Sequence, residues 1–110
     1  MAYYRAFDAA RGELLGQYRE SSQLSFEGTS AQGMAAVADR LQKMPSGRTS
    51  PETLDVVPLG ATSLLVLVTG AIVIAGETNP LKFVQAFNLM PEPGTGKLYI
   101  ANEFYQFLYG

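Results

Sequence analysis

One stretch of the chain, residues 64–74, constrains the fold more than any other. It reads LLVLVTGAIVI and is apolar at both the odd and the even positions. Alternate side chains of a β-strand point to opposite faces, so this run predicts a central strand that is covered on both sides. Helices of the same chain can cover one side, but the other side needs a second sheet. The run is much shorter than the ~20 apolar residues that span a bilayer.

The composition predicts one domain, residues 1–110, that associates with a partner. A chain of 110 residues can build a single core. Its hydrophobic fraction is 47% and its charged fraction is 16%, whereas about a quarter of the residues are charged in typical globular domains. This excess of apolar surface must be covered, and the chain is therefore expected to form an oligomer.

The residue types that are absent exclude several kinds of function. The sequence has no cysteine and no histidine, which removes thiol and imidazole catalysis and the usual zinc and iron ligands. No metal and no cofactor are expected. The net charge of -2 provides no basic stripe, so nucleic acid is not an expected ligand. The first residues do not form a signal peptide, and we expect a soluble intracellular protein without membrane insertion.

Two amphipathic helices are predicted before the central strand. Apolar residues recur every three or four positions over residues 7–18, and Asp8 is placed to cap this first helix. Residues 22–28 alternate as a short strand. Residues 29–32 have the spacing of a capping box, Thr29 to Gln32, that opens the second helix. The apolar face of the second helix consists of Met34, Val37, Ala38, Leu41 and Met44.

Four strands complete the predicted fold. A polar turn at 46–50 precedes a weak strand over 54–57 that Pro58 ends; the central strand, a loop at 76–80, a strand over 83–89 and a last strand over 98–108 follow. This order predicts an α+β domain in which a curved antiparallel sheet wraps two helices and encloses a cone-shaped cavity. One face of the last strand would carry Tyr99, Ala101, Glu103, Tyr105, Phe107 and Tyr109, and the other Leu98, Ile100, Asn102, Phe104, Gln106 and Leu108.

The candidate site is the segment Phe26-Glu27-Gly28, where the short strand ends. Neighbouring residues of a strand point to opposite faces, so Phe26 and Glu27 can serve one site only if the backbone is distorted there. Gly28 permits such a distortion. The alternative is that Phe26 is an ordinary core aromatic and Glu27 a solvated acid.

Three motifs together resemble the nuclear transport factor 2 family. Residues 7–18, FDAARGELLGQY, resemble its F-D-x-x-R-x-x-L-x-x-x-Y helix. Residues 24–28, LSFEG, followed by QG at 32–33, resemble its L-[ST]-[WF]-E-G…Q-G segment. Residues 102–105, NEFY, resemble its closing N-D-x-F strand. The resemblance covers nearly the whole chain, and the order of the motifs is kept.

The resemblance implies a cone-shaped domain that forms a homodimer through the open face of its sheet. It also implies a carrier that binds the GDP state of the small GTPase Ran and phenylalanine-glycine repeat nucleoporins, in the cytoplasm, the nucleus and the nuclear pore complex. Phe26 and Tyr105 would line the cavity that receives an aromatic residue of Ran, and Glu27 would pair with a basic residue at its rim. Phe104 would face the partner subunit.

The chain departs from the family pattern in three places. The loop before the strand at 83–89 keeps one acid, Glu77, where the family has two or three, so weaker Ran binding is expected. The first helix is expected to be truncated, beginning near Tyr3, without the upstream tryptophan that helps to hold nucleoporin repeats. Residues 46–51 are shorter than the corresponding family segment and lack its histidine.

Two other functions are compatible with the same residues. The cone fold also supports isomerases and dehydratases, and Glu27, Asp55 or Glu103 with Tyr99 or Tyr105 would be the candidate sets. A related domain forms a heterodimer in messenger-RNA export and does not need the acids at Glu27 and Glu77. We predict a protein that is not an enzyme and has no catalytic residues.

Overall fold

The computed structural model describes residues 2–108, so Tyr109 of the predicted last strand lies outside the described part. An α-helix, α1, is followed by a 3-10 helix, a β-hairpin, a second α-helix and four long strands. In chain order these elements are α1 Ala2–Ala9, the 3-10 helix Arg11–Gln17, β1 Tyr18–Phe26, β2 Thr29–Gln32, α2 Met34–Lys43, β3 Gly47–Leu59, β4 Ser63–Ile74, β5 Leu81–Pro91 and β6 Leu98–Leu108.

The strands form one curved, open sheet in the order β2-β1-β6-β5-β4-β3. The α+β cone is confirmed, but the sheet is mixed rather than antiparallel, because β1 runs parallel to β6. β3 to β6 are connected by short loops, and such connections enforce antiparallel neighbours. β1 and β6 are separated in sequence by all the elements between them, so no local connection determines the direction of β1 relative to β6.

The first helix is divided, and the predicted helix over 7–18 is wrong in its bounds. α1 ends at Ala9, and Ala10 leaves the helical region with φ -153 and ψ 66 before the 3-10 helix begins. Gly12 and Gly16 lower the helix propensity of this second half. Asp8 does not cap a helix start; its carboxylate accepts hydrogen bonds from the backbone N–H of Thr49 at 2.8 Å and from its hydroxyl at 2.7 Å.

Arg11 attaches the 3-10 helix to the end of α2. Its guanidinium donates to the carbonyl oxygen of Leu41 at 2.7 Å and also to those of Met44 and Pro45. The last carbonyl groups of a helix have no partner within it, so one planar side chain completes the end of α2. The same guanidinium lies 4.0 Å from the centre of the Phe7 ring.

The predicted capping box at 29–32 is wrong. These residues form β2, which pairs with β1 in a hairpin, and the turn between them consists of Glu27 with φ +50 and Gly28 with φ +83. Two successive positive φ angles are typical of the two-residue turns that match the twist of a hairpin. α2 begins instead after Gly33, where the Glu20 carboxylate accepts a hydrogen bond from the N–H of Met34 at 3.3 Å.

The predicted polar turn at 46–50 and the strand end at Pro58 are also wrong, because β3 continues for 13 residues. β3 lies at the edge of the sheet and pairs with β4 alone. An edge strand tolerates proline, since the missing N–H can face away from the ladder. A register shift between Pro51 and Thr53 accommodates the first proline.

The two faces of the sheet differ. The inner face carries the helices and an aromatic core, in which Tyr105 stacks on Phe83 with ring centres 5.0 Å apart. The outer face is open: Leu65 and Leu67 of the central strand are 38% and 40% exposed. No part of the described chain covers this side of β4, so the second covering layer stays a prediction. A register shift in β6 moves Ile100 into the core, so it does not share the outer face with Phe104 as predicted.

Candidate functional site

The β1–β2 turn places Phe26 and Glu27 together at one end of the sheet. Phe26 is partly buried on the inner face, with its ring centre 5.6 Å from that of Tyr105 and 5.8 Å from that of Phe107. Glu27 is exposed. Its N–H donates to the carbonyl oxygen of Tyr105 at 3.0 Å, and its carboxylate accepts a hydrogen bond from the N–H of Phe107. The turn thus provides the backbone distortion that the sequence requires.

Glu77 lies at the same end of the sheet but on another strand connection. It is exposed in the loop between β4 and β5, where its N–H donates to the carbonyl oxygen of Ile74 at 2.9 Å. β6 and β5 lie between β1 and β4, so three strand spacings, about 14 Å, separate β1 from β4 across the sheet. Phe26 is level with Val68 of β4, and β4 continues to Ile74, so the two connections are also about 20 Å apart along the strands. Glu27 and Glu77 are therefore separate acids along one rim, not a pair.

Tyr105 packs behind Phe26 in the aromatic core. It is 2% exposed, and the rings of Phe7, Phe26, Phe83 and Phe107 surround it with centre distances of 5.0 to 6.3 Å. Burial, followed by the negative charge of Asp8, raises the pKa of its phenol. Its buried hydroxyl has no hydrogen-bond partner among residues 2–108. The family motif has phenylalanine at this position, and the surroundings are those of a phenylalanine.

Replacing Tyr105 by phenylalanine is therefore expected to leave stability unchanged or to raise it by about 1 kcal/mol, because a buried unpaired hydroxyl is lost. Tyr4→Phe is the matched control: Tyr4 is equally buried, but its hydroxyl donates to Gln85 Oε1 at 2.7 Å. Loss of this hydrogen bond should lower the free energy of unfolding by about 1–3 kcal/mol. Thermal unfolding at one protein concentration compares the two variants. A destabilised Tyr105→Phe variant would show that the hydroxyl is bonded.

A buried acid cluster lies deeper in the cone, around Glu103. Its carboxylate accepts hydrogen bonds from Tyr3 at 2.8 Å, from Gln85 Nε2 at 2.6 Å and from Tyr18. Desolvation raises the pKa of Glu103, and the three hydrogen bonds oppose that rise. Burial also raises the pKa of both tyrosines. Sequence reasoning missed this cluster, although alternation along residues 98–108 already put Glu103 on the same face as Tyr105.

The alternative catalytic sets do not assemble. Asp55 is exposed on the edge strand β3. The carboxylate of Glu103 is bonded by other residues, and the hydroxyl of Tyr105 has no hydrogen-bond partner among residues 2–108, so no acid bonds to it. Tyr99 lies near Arg19, whose guanidinium carbon is 5.6 Å from its ring centre. Among residues 2–108, no group of three or more acids is placed to hold a metal ion. No helix in this part of the chain has the length and hydrophobicity that a bilayer crossing requires.

Comparison with known proteins decides the family. The model of the nuclear transport factor 2 (NTF2) domain matches residues 1–107. This chain belongs to the nuclear transport factor 2 family. Nuclear transport factor 2 of Emericella nidulans is 37% identical over 97% of this chain and 87% of its own length. Nuclear transport factor 2B of Arabidopsis thaliana is 39% identical over 97% of this chain and 86% of its own length.

Solved structures agree with this family. Nuclear transport factor 2 from Cryptosporidium parvum superposes with a TM-score of 0.87 at 32% identity, covering 97% of this chain and 86% of that chain. A ketosteroid isomerase-like protein from Erwinia carotovora superposes with a TM-score of 0.82, covering 99% of this chain and 90% of that chain. At 20% identity, this similarity shows the fold alone. The names of the family relatives support a role in nuclear transport and are not names of enzymes.

The hydrogen bonds of Glu103 join α1 and β1 to the β5–β6 pair. Tyr3 belongs to α1 and Tyr18 begins β1, so two hydroxyls from outside the β5–β6 pair converge on one carboxylate of β6. The carboxylate is 3% exposed. A general base needs a lone pair within reach of a substrate proton. The carboxylate oxygens of Glu103 already accept three hydrogen bonds from side chains of the protein itself.

Proposed function

We propose that this protein is a nucleocytoplasmic carrier that binds the GDP state of Ran at the rim formed by Phe26, Glu27 and Glu77, with Tyr105 behind it. The observation that carries the proposal is the placement of Glu27. A charged residue at the exposed end of the sheet adjoins a partly buried aromatic ring, in a family whose members share a transport name. The carrier would act in the cytoplasm, the nucleus and the nuclear pore complex.

The backbone supports Glu27 as a charge anchor. A non-glycine residue with positive φ is uncommon, and neighbouring hydrogen bonds must hold it there. The N–H and the carboxylate of Glu27 both bond to β6, at Tyr105 and Phe107. The carboxylate is therefore oriented before a partner arrives, so little side-chain entropy is lost on binding.

Glu27→Gln is expected to weaken the binding of GDP-loaded Ran by about 30-fold or more. Glutamine keeps an oxygen for the Phe107 N–H but removes the charge, and truncating one partner of a desolvated ion pair costs about 2 to 5 kcal/mol. Isothermal titration calorimetry with GDP-loaded and GTP-loaded Ran measures the effect. Glutamine is preferred to lysine because lysine cannot accept the hydrogen bond from β6.

Glu77→Gln is the matched control, because it removes the same charge from an exposed loop at the same rim. Its effect should be smaller, since the loop has no companion acids. The midpoint temperature of thermal unfolding should be unchanged for Glu77→Gln and only slightly shifted for Glu27→Gln. Unchanged affinity of the Glu27 variant for GDP-loaded Ran would refute the proposed role of the rim.

Two further partners belong to the proposal. Phenylalanine-glycine repeat nucleoporins would bind weakly to apolar grooves, with little dependence on salt because the contact is apolar. A second copy of the chain would cover the outer face, where Phe104 is 41% exposed beside Leu65 and Leu67. Exposed apolar side chains that cluster on one face are typical of an interaction surface.

A further inference from the structure

One edge of the sheet carries a long row of unpaired backbone groups. β3 is the last strand of the sheet and pairs with β4 alone, from Gly47 to Leu59. Alternate residues of an antiparallel strand direct their N–H and C=O groups to opposite sides, so half of these groups face away from β4. We call this side the free edge of β3. Its backbone groups point along the plane of the sheet, so a layer that covers either face does not pair them.

The middle of the free edge is unprotected. Edge strands are usually guarded by lysine, by proline, by a bulge or by a covering element. In β3 the prolines and the bulge lie outside the middle: a register shift separates Pro51 from Thr53, and Pro58 follows near the end of the strand. Residues 53–57 between them, TLDVV, are all exposed and contain no Lys or Arg. This stretch is close to the length of a typical strand, about 5–6 residues.

The side chains of this stretch differ between the two faces. Leu54 and Val56 are 47% and 48% exposed, and they pair with Val68 and Val66 of β4, which are buried. On the inner face, the apolar surface therefore continues to the free edge. Alternation directs Asp55 to the outer face, and its carboxylate forms no ion pair among residues 2–108. A strand added at this edge would meet an apolar, an acidic and an apolar residue in turn.

We propose that the free edge at residues 53–57 binds an extended segment of another protein, which joins the sheet as a further strand and carries a basic residue between two apolar residues. Backbone hydrogen bonds provide the affinity of such a strand addition, and alternate side chains provide its specificity. The basic residue lies opposite Asp55, since opposite charges stabilise a cross-strand pair. The two apolar residues lie beside Leu54 and Val56 and remove them from water.

A second copy of this chain fits the same edge less well. Full antiparallel overlap of residues 53–57 with the same residues of another copy places Asp55 opposite Asp55. Like charges directly opposite each other destabilise a strand pair. The chain has no Lys or Arg from residue 49 to residue 81, so neighbouring parts of β3 and β4 do not supply the missing cation. The charge of the edge therefore favours a basic segment of a different protein.

The free edge is separate from the rim of the proposed function. β6, β5 and β4 lie between β3 and β1, whose end carries Phe26 and Glu27. Binding at the free edge therefore does not depend on the binding of Ran. Glu27→Gln should bind an edge ligand as the wild type does, and Asp55→Lys should bind GDP-loaded Ran as the wild type does.

A designed peptide tests the charge preference of the edge. The probe is a short labelled peptide that alternates valine with threonine and carries lysine in place of the central threonine. The wild type should bind it at least about tenfold more tightly than the same peptide with glutamate at the centre, because the charge opposite Asp55 changes from attractive to repulsive. Asp55→Lys should reverse this preference. Fluorescence anisotropy measures the dissociation constants.

A proline substitution tests the backbone contact. Pro58 pairs with Leu64 without a register shift, so its nitrogen is expected to face away from β4. Val56 lies two residues earlier and directs its N–H to the same side. Val56→Pro should therefore abolish binding of the lysine peptide. Val56→Ala is the matched control, because it shortens the side chain but keeps the N–H, and it should weaken binding only a few-fold. Circular dichroism verifies the fold of both variants.

Three outcomes would overturn the proposal. The first is that the wild type binds neither peptide, or binds both equally. The second is that Val56→Ala loses as much affinity as Val56→Pro, which would show that apolar side chains rather than the edge make the contact. The third is that sedimentation detects assemblies larger than a dimer that Val56→Pro dissociates, which would make a second copy the occupant of the edge.

Discussion

Phe104→Glu is expected to convert the dimer into monomers at micromolar concentration. Phe104 lies at the centre of the outer face and is 41% exposed in the single chain, so the substitution does not disturb the core. In the dimer, however, each carboxylate would be buried in an apolar contact without a cation. Burying such an unpaired charge costs several kcal/mol, and it occurs twice in a two-fold interface. Dimer affinity should fall by at least about 1,000-fold.

Sedimentation velocity of the wild type and the variant measures this change. Gln42→Glu is the matched control, because it introduces the same charge at an exposed position on α2, away from the sheet. That control should sediment as the wild type does. If Phe104→Glu also remains dimeric, the outer face is not the interface. An unfolded variant is excluded by comparing the thermal unfolding of both proteins.

Glu103→Leu is expected to destabilise the protein by about 3 kcal/mol or more. Leucine leaves the hydroxyls of Tyr3 and Tyr18 and the amide of Gln85 without their acceptor, and each buried unpaired group costs about 1–3 kcal/mol. Glu103→Gln keeps one acceptor oxygen, and the hydroxyls can rotate to accept from its amide. The glutamine variant should therefore retain most of the stability that leucine loses.

The same pair of proteins tests the protonation of Glu103. Burial raises its pKa in the folded state above the ordinary value of 4.5, so folding favours the protonated form. This contribution is fully present below the unfolded-state pKa, and it is lost as pH rises through the folded-state pKa. Chemical denaturation at several pH values should show the wild type losing stability relative to Glu103→Gln as pH increases from about 4 upward. A constant difference would contradict the raised pKa.

Local patterns were enough to predict much of the architecture. The two-sided apolar run at 64–74 identified an interior strand of the sheet, β4, because apolar side chains at both odd and even positions are a direct sequence signal for such a strand. Alternation along 98–108 placed Glu103 and Tyr105 on one face and Phe104 on the other, as observed, whereas the cavity side of Tyr105 came from the family resemblance. The motif at Phe26-Glu27-Gly28 indicated a distorted strand end, which is the hairpin turn.

Elsewhere the local signal was ambiguous, and pairing decided the outcome. Thr29 and Gln32 fit a helix cap, yet they form a strand because β1 offers its free edge. Pro58 should end a strand, yet β3 passes it because an edge strand needs only one hydrogen-bonded side. In both cases the deciding hydrogen bonds come from a neighbouring strand, which a short sequence window does not contain.

The sequence by itself therefore determined the strands at 64–74 and 98–108, the opposite faces of Phe104 and Tyr105, and the distorted backbone at Glu27, since these follow from alternation and from local turn chemistry. Only the tertiary structure decided the parallel pairing of β1 with β6 and the partners of Glu103. Tyr18 and Tyr3 are 85 and 100 residues distant from that carboxylate along the chain. A periodic pattern reports the face of a residue but not its neighbours, because those neighbours are set by how distant strands and helices come together.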